Sequence, residues 1–189
     1  MADTSDGTLV ARALAGERHA FGLLVTRHQD RMLAYAKYMG FGDAQAQDLV
    51  QDAFIRSYRH LRRCGDPDRF SGWLFKILSN LCRTAGSRRA RHAVRAMEPL
   101  EAGLVSDAPG PDAAAETNQT KEMVRTALDA VPPDQREVLV LMYLQGYSVT
   151  EIEELTGASR SAVKMRLLRA REALRAELEP LYAEVMTDD

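Results

Sequence analysis

Residues 148–175, SVTEIEELTGASRSAVKMRLLRAREALR, decide the fold because they predict two short helices joined by a tight turn. Ser148 and Glu151 have the spacing of a capping box, in which hydroxyl and carboxylate satisfy free amides of the first helical turn. Gly157 can end this helix in the left-handed conformation, and Ser159 can cap the next one. The stretch therefore predicts a helix-turn-helix.

The second helix of this motif has one apolar stripe with basic residues on both sides. The stripe recurs with the period of an α-helix and is predicted to pack inward: Val163, Leu167, Ala170 and Leu174. The basic flanks are Arg160, Lys164, Arg171 and Arg175 on one side and Arg166 and Arg169 on the other. Such a helix fits the negatively charged major groove of DNA. The alternative is a solvated basic helix without a ligand.

Composition and charge distribution predict an intracellular helical protein with two small cores. The chain has 189 residues, 46% of them hydrophobic, and a net charge of −2. Residues 83–95 contain five arginines without an acid, whereas residues 97–116 contain five acids without a base. The two cysteines, Cys64 and Cys82, are too few for a disulfide framework. Without a signal peptide or a long apolar run, we expect a cytoplasmic protein with no membrane insertion.

The N-terminal half predicts three amphipathic helices, over residues 8–39, 43–61 and about 70–85. In the second helix, the predicted buried face consists of Ala46, Val50, Ala53, Phe54, Ser57 and Leu61. The opposite face carries an isoleucine among polar and charged residues: Asp48, Gln51, Asp52, Ile55 and Arg59. An apolar residue within an acidic patch is a candidate protein contact, and the alternative is a plain surface.

The third helix predicts a second nucleic-acid contact. Its buried face is predicted to contain Phe70, Trp73, Leu74, Ile77, Leu78 and Leu81. Its other face is a polar, partly basic stripe that continues into four further arginines: Lys76, Asn80, Arg83, Ser87, Arg88, Arg89, Arg91 and Arg95. Such a stripe can follow a sugar-phosphate backbone, with Asn80 bonding a base edge. The alternative is a solvated helix face with a basic tail.

The chain divides at an acidic, proline-containing stretch. We expect an N-terminal domain at residues 1–95, a flexible linker at 96–119, a C-terminal domain at 120–178 and a frayed acidic tail at 179–189. The 23 residues 97–119 can reach roughly 80 Å, more than the roughly 60 Å occupied by 17 base pairs. In the C-terminal domain, a helix that starts near Pro133 and runs to about Gln145 is predicted to bury Val138, Leu141 and Met142.

Three stretches resemble the extracytoplasmic-function sigma factors of bacterial RNA polymerase. They are DLVQDAFIRSYRHL (48–61), RFSGWLFKILSNLCR (69–83) and VPPDQREVLVLMYLQGYSVTEIEELTGASRSAVKMRLLRAREAL (131–174). The resemblance implies a promoter-specificity subunit that binds core RNA polymerase and promoter DNA and is held by an anti-sigma factor. In this family, the first domain docks on polymerase and melts the −10 element, and the second reads the −35 element as duplex.

The resemblance also implies roles for particular positions. It assigns polymerase docking to Asp48, Gln51, Asp52 and Ile55. Recognition of the −10 element falls on Lys76, Asn80 and Thr84, beside Arg83 and Arg88, with a specificity loop around residues 64–69. Recognition of the −35 element falls on Lys164, Met165, Leu168, Arg169 and Arg171, beside Arg160 and Arg166. Met165 stands where a small polar reader is common, and Gln47 where an acid is usual.

Two other classes of protein remain open. A repressor or activator that binds operator DNA alone would account for the helix-turn-helix but not for the polar stripe, and a helical adaptor would need no DNA. An enzyme is disfavoured because the sequence contains no phosphate loop, nucleophile elbow or paired acidic motif. His60 and Cys64 would supply only two metal ligands, so we expect no metal and no cofactor.

Overall fold

The described part of the chain is helical and forms two compact units. The computed structural model describes residues 4–96 and 123–187, in which no strand occurs. The helices are α1 (Asp6–Leu14), α2 (Arg18–Tyr38), α3 (Asp43–Arg59), α4 (Phe70–Ala96), α5 (123–130), α6 (Pro133–Leu139), α7 (Val149–Thr156) and α8 (Arg160–Thr187). One unit contains α1–α4 and the other α5–α8, which confirms the all-α, two-domain class.

The structure does not describe residues 97–122, so all of the predicted linker except residue 96 lies outside the described residues. The boundaries set for the two domains therefore stay predictions. Within the ranges that the structure describes, no helix has both the length and the apolar character that crossing a membrane requires.

The start of the chain differs from the prediction of one helix over residues 8–39. Two helices form there, α1 and α2, because Gly16 takes a φ of +99°, which glycine adopts without strain. The Nε of Arg12 donates to Glu17 Oε2 at 2.8 Å across this break. The glycine itself is the sequence signal for this break, and the prediction of one helix passed over it.

The core of the N-terminal unit lies between α3, α4 and the two preceding helices. All six residues predicted for the inner face at 43–61 are buried. In α4, Phe70, Leu74 and Leu78 are buried as predicted, but Trp73, Ile77 and Leu81 are only half-buried. Their predicted place is taken by Phe75, Ser79 and Cys82. The buried stripe is rotated because Phe75 packs edge-on against Tyr35 of α2, with ring centroids 5.7 Å apart.

Helix α4 is also longer than predicted. It reaches Ala96 rather than ending near Ala85, so the arginines that follow Arg83 continue the same helix. The loop before it contains two short 3-10 turns, Leu61–Arg63 and Pro67–Arg69. The carboxylate of Asp66 caps the second turn by accepting from the amide of Asp68 at 3.0 Å.

In the C-terminal unit, α5 and α6 are joined by a buried arginine. Pro133 occupies the first turn of α6, as predicted. The Arg136 guanidinium donates to Asp129 Oδ1 and to the Asp129 carbonyl, both at 2.7 Å. After α6 the chain continues as one π-helical segment, Val140–Leu144, and turns at Gly146 with a φ of +72°. Met142, predicted to be buried, is half-exposed.

The helix-turn-helix forms as predicted. Ser148 Oγ accepts from the amide of Glu151 at 3.3 Å, while the amide of Ser148 donates to Glu151 Oε2 at 2.8 Å. Gly157 ends α7 with a φ of +72°, and Ser159 Oγ accepts from the amide of Ala162. Helix α8 buries Val163, Leu167 and Ala170, while Leu174 is half-buried.

The segment after residue 178, expected to be a frayed tail, is helical as far as Thr187. Helix α8 passes through Pro180 and continues to that residue. The acidic composition of residues 179–189 at the end of the sequence was the basis for expecting a frayed tail.

We expect Ser148→Ala to destabilise α7 by about 1 kcal/mol, because the Glu151 amide loses the hydroxyl that accepts its hydrogen bond. Hydrogen exchange of the α7 amides in the full chain would measure this loss. Thr150→Ala is the matched control, since Thr150 is exposed in the same turn and makes no cap. Equal exchange rates in the two variants would contradict the assigned cap.

Candidate nucleic-acid interface

The exposed face of α8 is basic with an apolar centre. Met165 and Leu168 are each 49% exposed, although both are large apolar side chains. Arg160, Lys164 and Arg169 are also exposed, the first two on one flank of the buried stripe and Arg169 on the other. Cations that can meet phosphates therefore surround two side chains that can contact bases.

Two of the predicted readers on α8 are held by residues of other helices. Arg166 Nε lies 3.2 Å from Asp134 Oδ2, at the start of α6. Arg171 lies over the ring of Tyr143, 5.5 Å from its centroid. Cation–π contacts and ion pairs of this exposed kind contribute little stability, about 0–1 kcal/mol each, but they orient the guanidinium groups.

The polar stripe of α4 is exposed and organised around Asn80. Arg83 Nη1 donates to Asn80 Oδ1 at 3.0 Å, and its Nη2 donates to Ser79 Oγ at 3.0 Å. Thr84 Oγ1 donates to the Asn80 carbonyl at 2.8 Å. The side-chain carbonyl of Asn80 is thus held by Arg83, which leaves its amide group with two donors for another acceptor. Lys76 and Arg88 are exposed on the same helix.

A groove of about 570 Å³ runs between α3 and α4, and sequence analysis did not predict it. It brings three −10 candidates together with the docking candidate Asp52. Its lining consists of Leu49, Asp52, Arg56, His60, Arg63, Trp73, Ile77, Asn80, Leu81, Thr84, Ala85 and Arg88. The missed basic residues had a signal in the sequence, since Arg56 and His60 follow Asp52 at helical spacing.

The docking candidates lie on α3 beside this groove. Asp48 and Gln51 are exposed, and Ile55 is 42% exposed. Tyr58, which the sequence analysis missed, is 44% exposed one turn after Ile55. Two large exposed apolar side chains at i and i+3 give this face a small apolar patch of the kind that protein interfaces use.

Asp52 is not a free carboxylate. Arg56 forms an ion pair with it through two contacts of 2.9 Å, from Nε to Oδ1 and from Nη2 to Oδ2. This hydrogen bonding raises the pKa of Arg56. A partner that binds Asp52 must accommodate or displace this guanidinium, whereas Asp48 offers its charge directly.

The loop thiol of Cys64 donates to the Asp66 carbonyl at 3.3 Å. Burial, and secondarily the Asp66 charge, raise the pKa of this thiol, so it stays protonated at neutral pH. Among the described residues, no three His, Cys, Asp or Glu side chains are grouped closely enough to hold a metal ion.

Two family models match the chain, one on each unit. Residues 24–92 match "Sigma-70 region 2", a range that includes α3 and the polar stripe of α4. Residues 121–174 match "Sigma-70, region 4", which includes the helix-turn-helix.

Several curated proteins are similar over nearly the whole chain. The sigma factor NccH of Alcaligenes xylosoxydans xylosoxydans is 33% identical, over 95% of this chain and 98% of its own. The ECF sigma-E factor of Escherichia coli K12 is 30% identical, over 94% and 96%. The probable sigma factor RfaY of Xanthomonas campestris pv. campestris is 35% identical over 94% of this chain, which spans only 46% of that longer protein.

The solved structure of CnrH in complex with the cytosolic domain of CnrY is similar in fold, with a TM-score of 0.69. It is 30% identical, and the match covers 94% of this chain and 99% of that one. Both family models, these relatives and this structure agree with the two helical units described above. The chain therefore belongs to the extracytoplasmic-function group of sigma-70 factors, the promoter-specificity subunits of bacterial RNA polymerase.

Proposed function

We propose that the N-terminal unit docks on core RNA polymerase and opens the −10 element, and that the C-terminal unit reads the −35 element as duplex. The observation that carries this proposal is the presence of two different basic faces, one on each compact unit. The face on α4 combines arginines with an oriented amide, and the face on α8 combines cations with two exposed apolar side chains.

The α4 face suits an opened strand. Unpaired bases expose hydrogen-bonding edges that a duplex hides, and the amide of Asn80 can donate to such an edge. Lys76, Arg83 and Arg88 supply positive charge along the helix for the backbone of that strand. The half-buried Trp73 in the neighbouring groove adds an aromatic surface.

The α8 face suits a closed duplex. A single helix, held by a turn against α7, can enter the major groove with its N-terminal half toward the bases. Met165 and Leu168 can contact thymine methyl groups, and Lys164 and Arg169 can reach phosphates or guanine.

We further propose that this chain has no catalytic activity or cofactor of its own, acts in the cytoplasm and is held inactive by an anti-sigma factor. A protein partner of this kind is supported by the CnrH structure, which contains the cytosolic domain of CnrY.

The first prediction concerns Asn80. We expect Asn80→Ala to slow promoter opening by about 2- to 12-fold, the equivalent of one hydrogen bond, while closed-complex binding changes less. Stopped-flow measurement of open-complex formation by the reconstituted holoenzyme tests this. Gln29→Ala, at an exposed position of α2, is the control. Equal losses in closed-complex binding and opening would argue against the assigned role.

The second prediction concerns Arg169. We expect Arg169→Ala to weaken binding of the holoenzyme to promoters with a −35 element by about 1–3 kcal/mol. Promoters that lack this element should be affected less, which competition binding would measure. Arg175→Ala is the control, because Arg175 lies outside the predicted readers and pairs with Glu179. Unchanged affinity of the Arg169 variant would exclude it as a reader.

The third prediction concerns docking. Reversing the exposed charge with Asp48→Arg should lower the affinity for core polymerase about tenfold. Asp30→Arg, an equal charge change at an exposed position of α2, should leave that affinity unchanged. Fluorescence titration of core enzyme measures both, and a similar loss in the two variants would assign the effect to overall charge.

A further inference from the structure

We propose that α1 positions the −10 specificity loop, and that Gly7 and Asp6 are the residues through which it acts. The inference deepens the proposed function, since it rests on the role of residues 64–69 and α4 in −10 recognition. Helix α1 packs on the 3-10 turn Pro67–Arg69, directly before α4 begins. A helix that touches this turn can set where the loop lies.

The turn lies close to α1 at Gly7, where the end of the Asp68 side chain occupies the space that a Cβ would take. Gly7 is buried within α1, and a Cβ built there would overlap Asp68 Oδ1 and lie 3.0 Å from its Cγ and 3.5 Å from its backbone nitrogen. Glycine is disfavoured in a helix by about 0.5–1 kcal/mol relative to alanine. Local helix stability therefore argues against glycine here, and the close approach of the turn accounts for it.

Asp6 holds α1 in the position that this contact needs. Its Oδ1 accepts from Arg27 Nη1 and its Oδ2 contacts His28 Nε2, both at 2.7 Å. Together these two contacts form a clasp to α2, in which His28 is only 6% exposed while Arg27 lies at the surface. The next turn of α1 adds Leu9 and Val10, which are 1% and 0% exposed. Helix α1 is thus fixed to α2 on one side and meets the loop on another.

The turn connects α1 with the loop and with α4, so the position of α1 affects both. Asp66 stabilises the turn, because its carboxylate accepts from the amide of Asp68 and its carbonyl accepts from the thiol of Cys64. The turn ends at Phe70, which is 0% exposed, with its ring 5.7 Å from that of His28. Phe70 anchors the end of the turn in the core, and a Cβ at position 7 would turn the exposed Asp68 carboxylate away from its place beside α1.

The test uses reconstituted holoenzyme with Gly7→Ala. We expect open-complex formation to slow about three- to tenfold, as happens when a small displacement moves a positioned group, and discrimination among −10 sequences to weaken. Core affinity and −35 dependence should not change. Gly22→Ala is the matched control, because a Cβ there meets nothing within 4 Å. Asp6→Asn, which keeps the shape of the side chain but weakens the clasp, should act in the same direction as Gly7→Ala.

A rescue variant separates positioning from general stability. Asp68→Ala removes the carboxylate that the new Cβ would overlap, so Gly7→Ala combined with Asp68→Ala should open promoters at the rate of Asp68→Ala alone. This non-additivity, with the −10 preference restored to that of Asp68→Ala, would support the inference. Additive losses, or a parallel fall in core affinity and −35 dependence, would overturn it.

The Asn80 variant distinguishes this inference from the proposed function. If Asn80→Ala impairs opening while Gly7→Ala behaves like Gly22→Ala, α1 does not position the loop but the function stands. If Asn80→Ala and replacement of residues 64–69 by glycine and serine both leave opening unchanged, the proposed −10 role fails and the inference falls with it.

Discussion

Burial of one apolar stripe decides which side of α8 faces outward. Fully burying a valine or leucine side chain contributes about 1.5–3 kcal/mol, whereas an exposed ion pair contributes about 0–1 kcal/mol. Val163 and Leu167 therefore set the rotation of α8, and the pairs made by Arg166 and Arg171 only adjust side-chain direction. With the stripe inside, Lys164, Met165 and Arg169 have no place except on the surface.

The same constraint acts on α4 with a different result. Its buried stripe is broad, since it packs on α3 as well as on the side of Tyr35, and it leaves a narrow polar face. Arg83 bridges Ser79 and Asn80 on that face, so a core-side hydroxyl helps to orient a group proposed to meet DNA. The two basic faces differ in chemistry because one is shaped by hydrogen bonds and the other by exposed apolar side chains.

The exposed faces of α4 and α8 are basic although the net charge of the chain is −2. Many of the acids are used locally: Glu17 pairs with Arg12, Asp43 with Lys37 and Glu179 with Arg175. Asp6 likewise pairs with Arg27 and the buried His28, and Asp129 pairs with the buried Arg136. Cations at Lys164 and Arg169 on α8 thus stay available for phosphate, although the chain as a whole is slightly acidic.

The sequence by itself determined the helix-turn-helix, its capping box and turn glycine, the buried face of α3 and the exposed basic stripes. These features depend on interactions within a few residues and on a fixed helical period, which a sequence displays directly. Only the tertiary structure decided the rotation of the α4 stripe toward Phe75, the groove that joins Asp52 to Asn80, and the contact of Gly7 with Asp68. Each of these depends on which helices pack together. Gly7 and Asp68 lie 61 positions apart in the chain, so their contact produces no periodic pattern in the sequence.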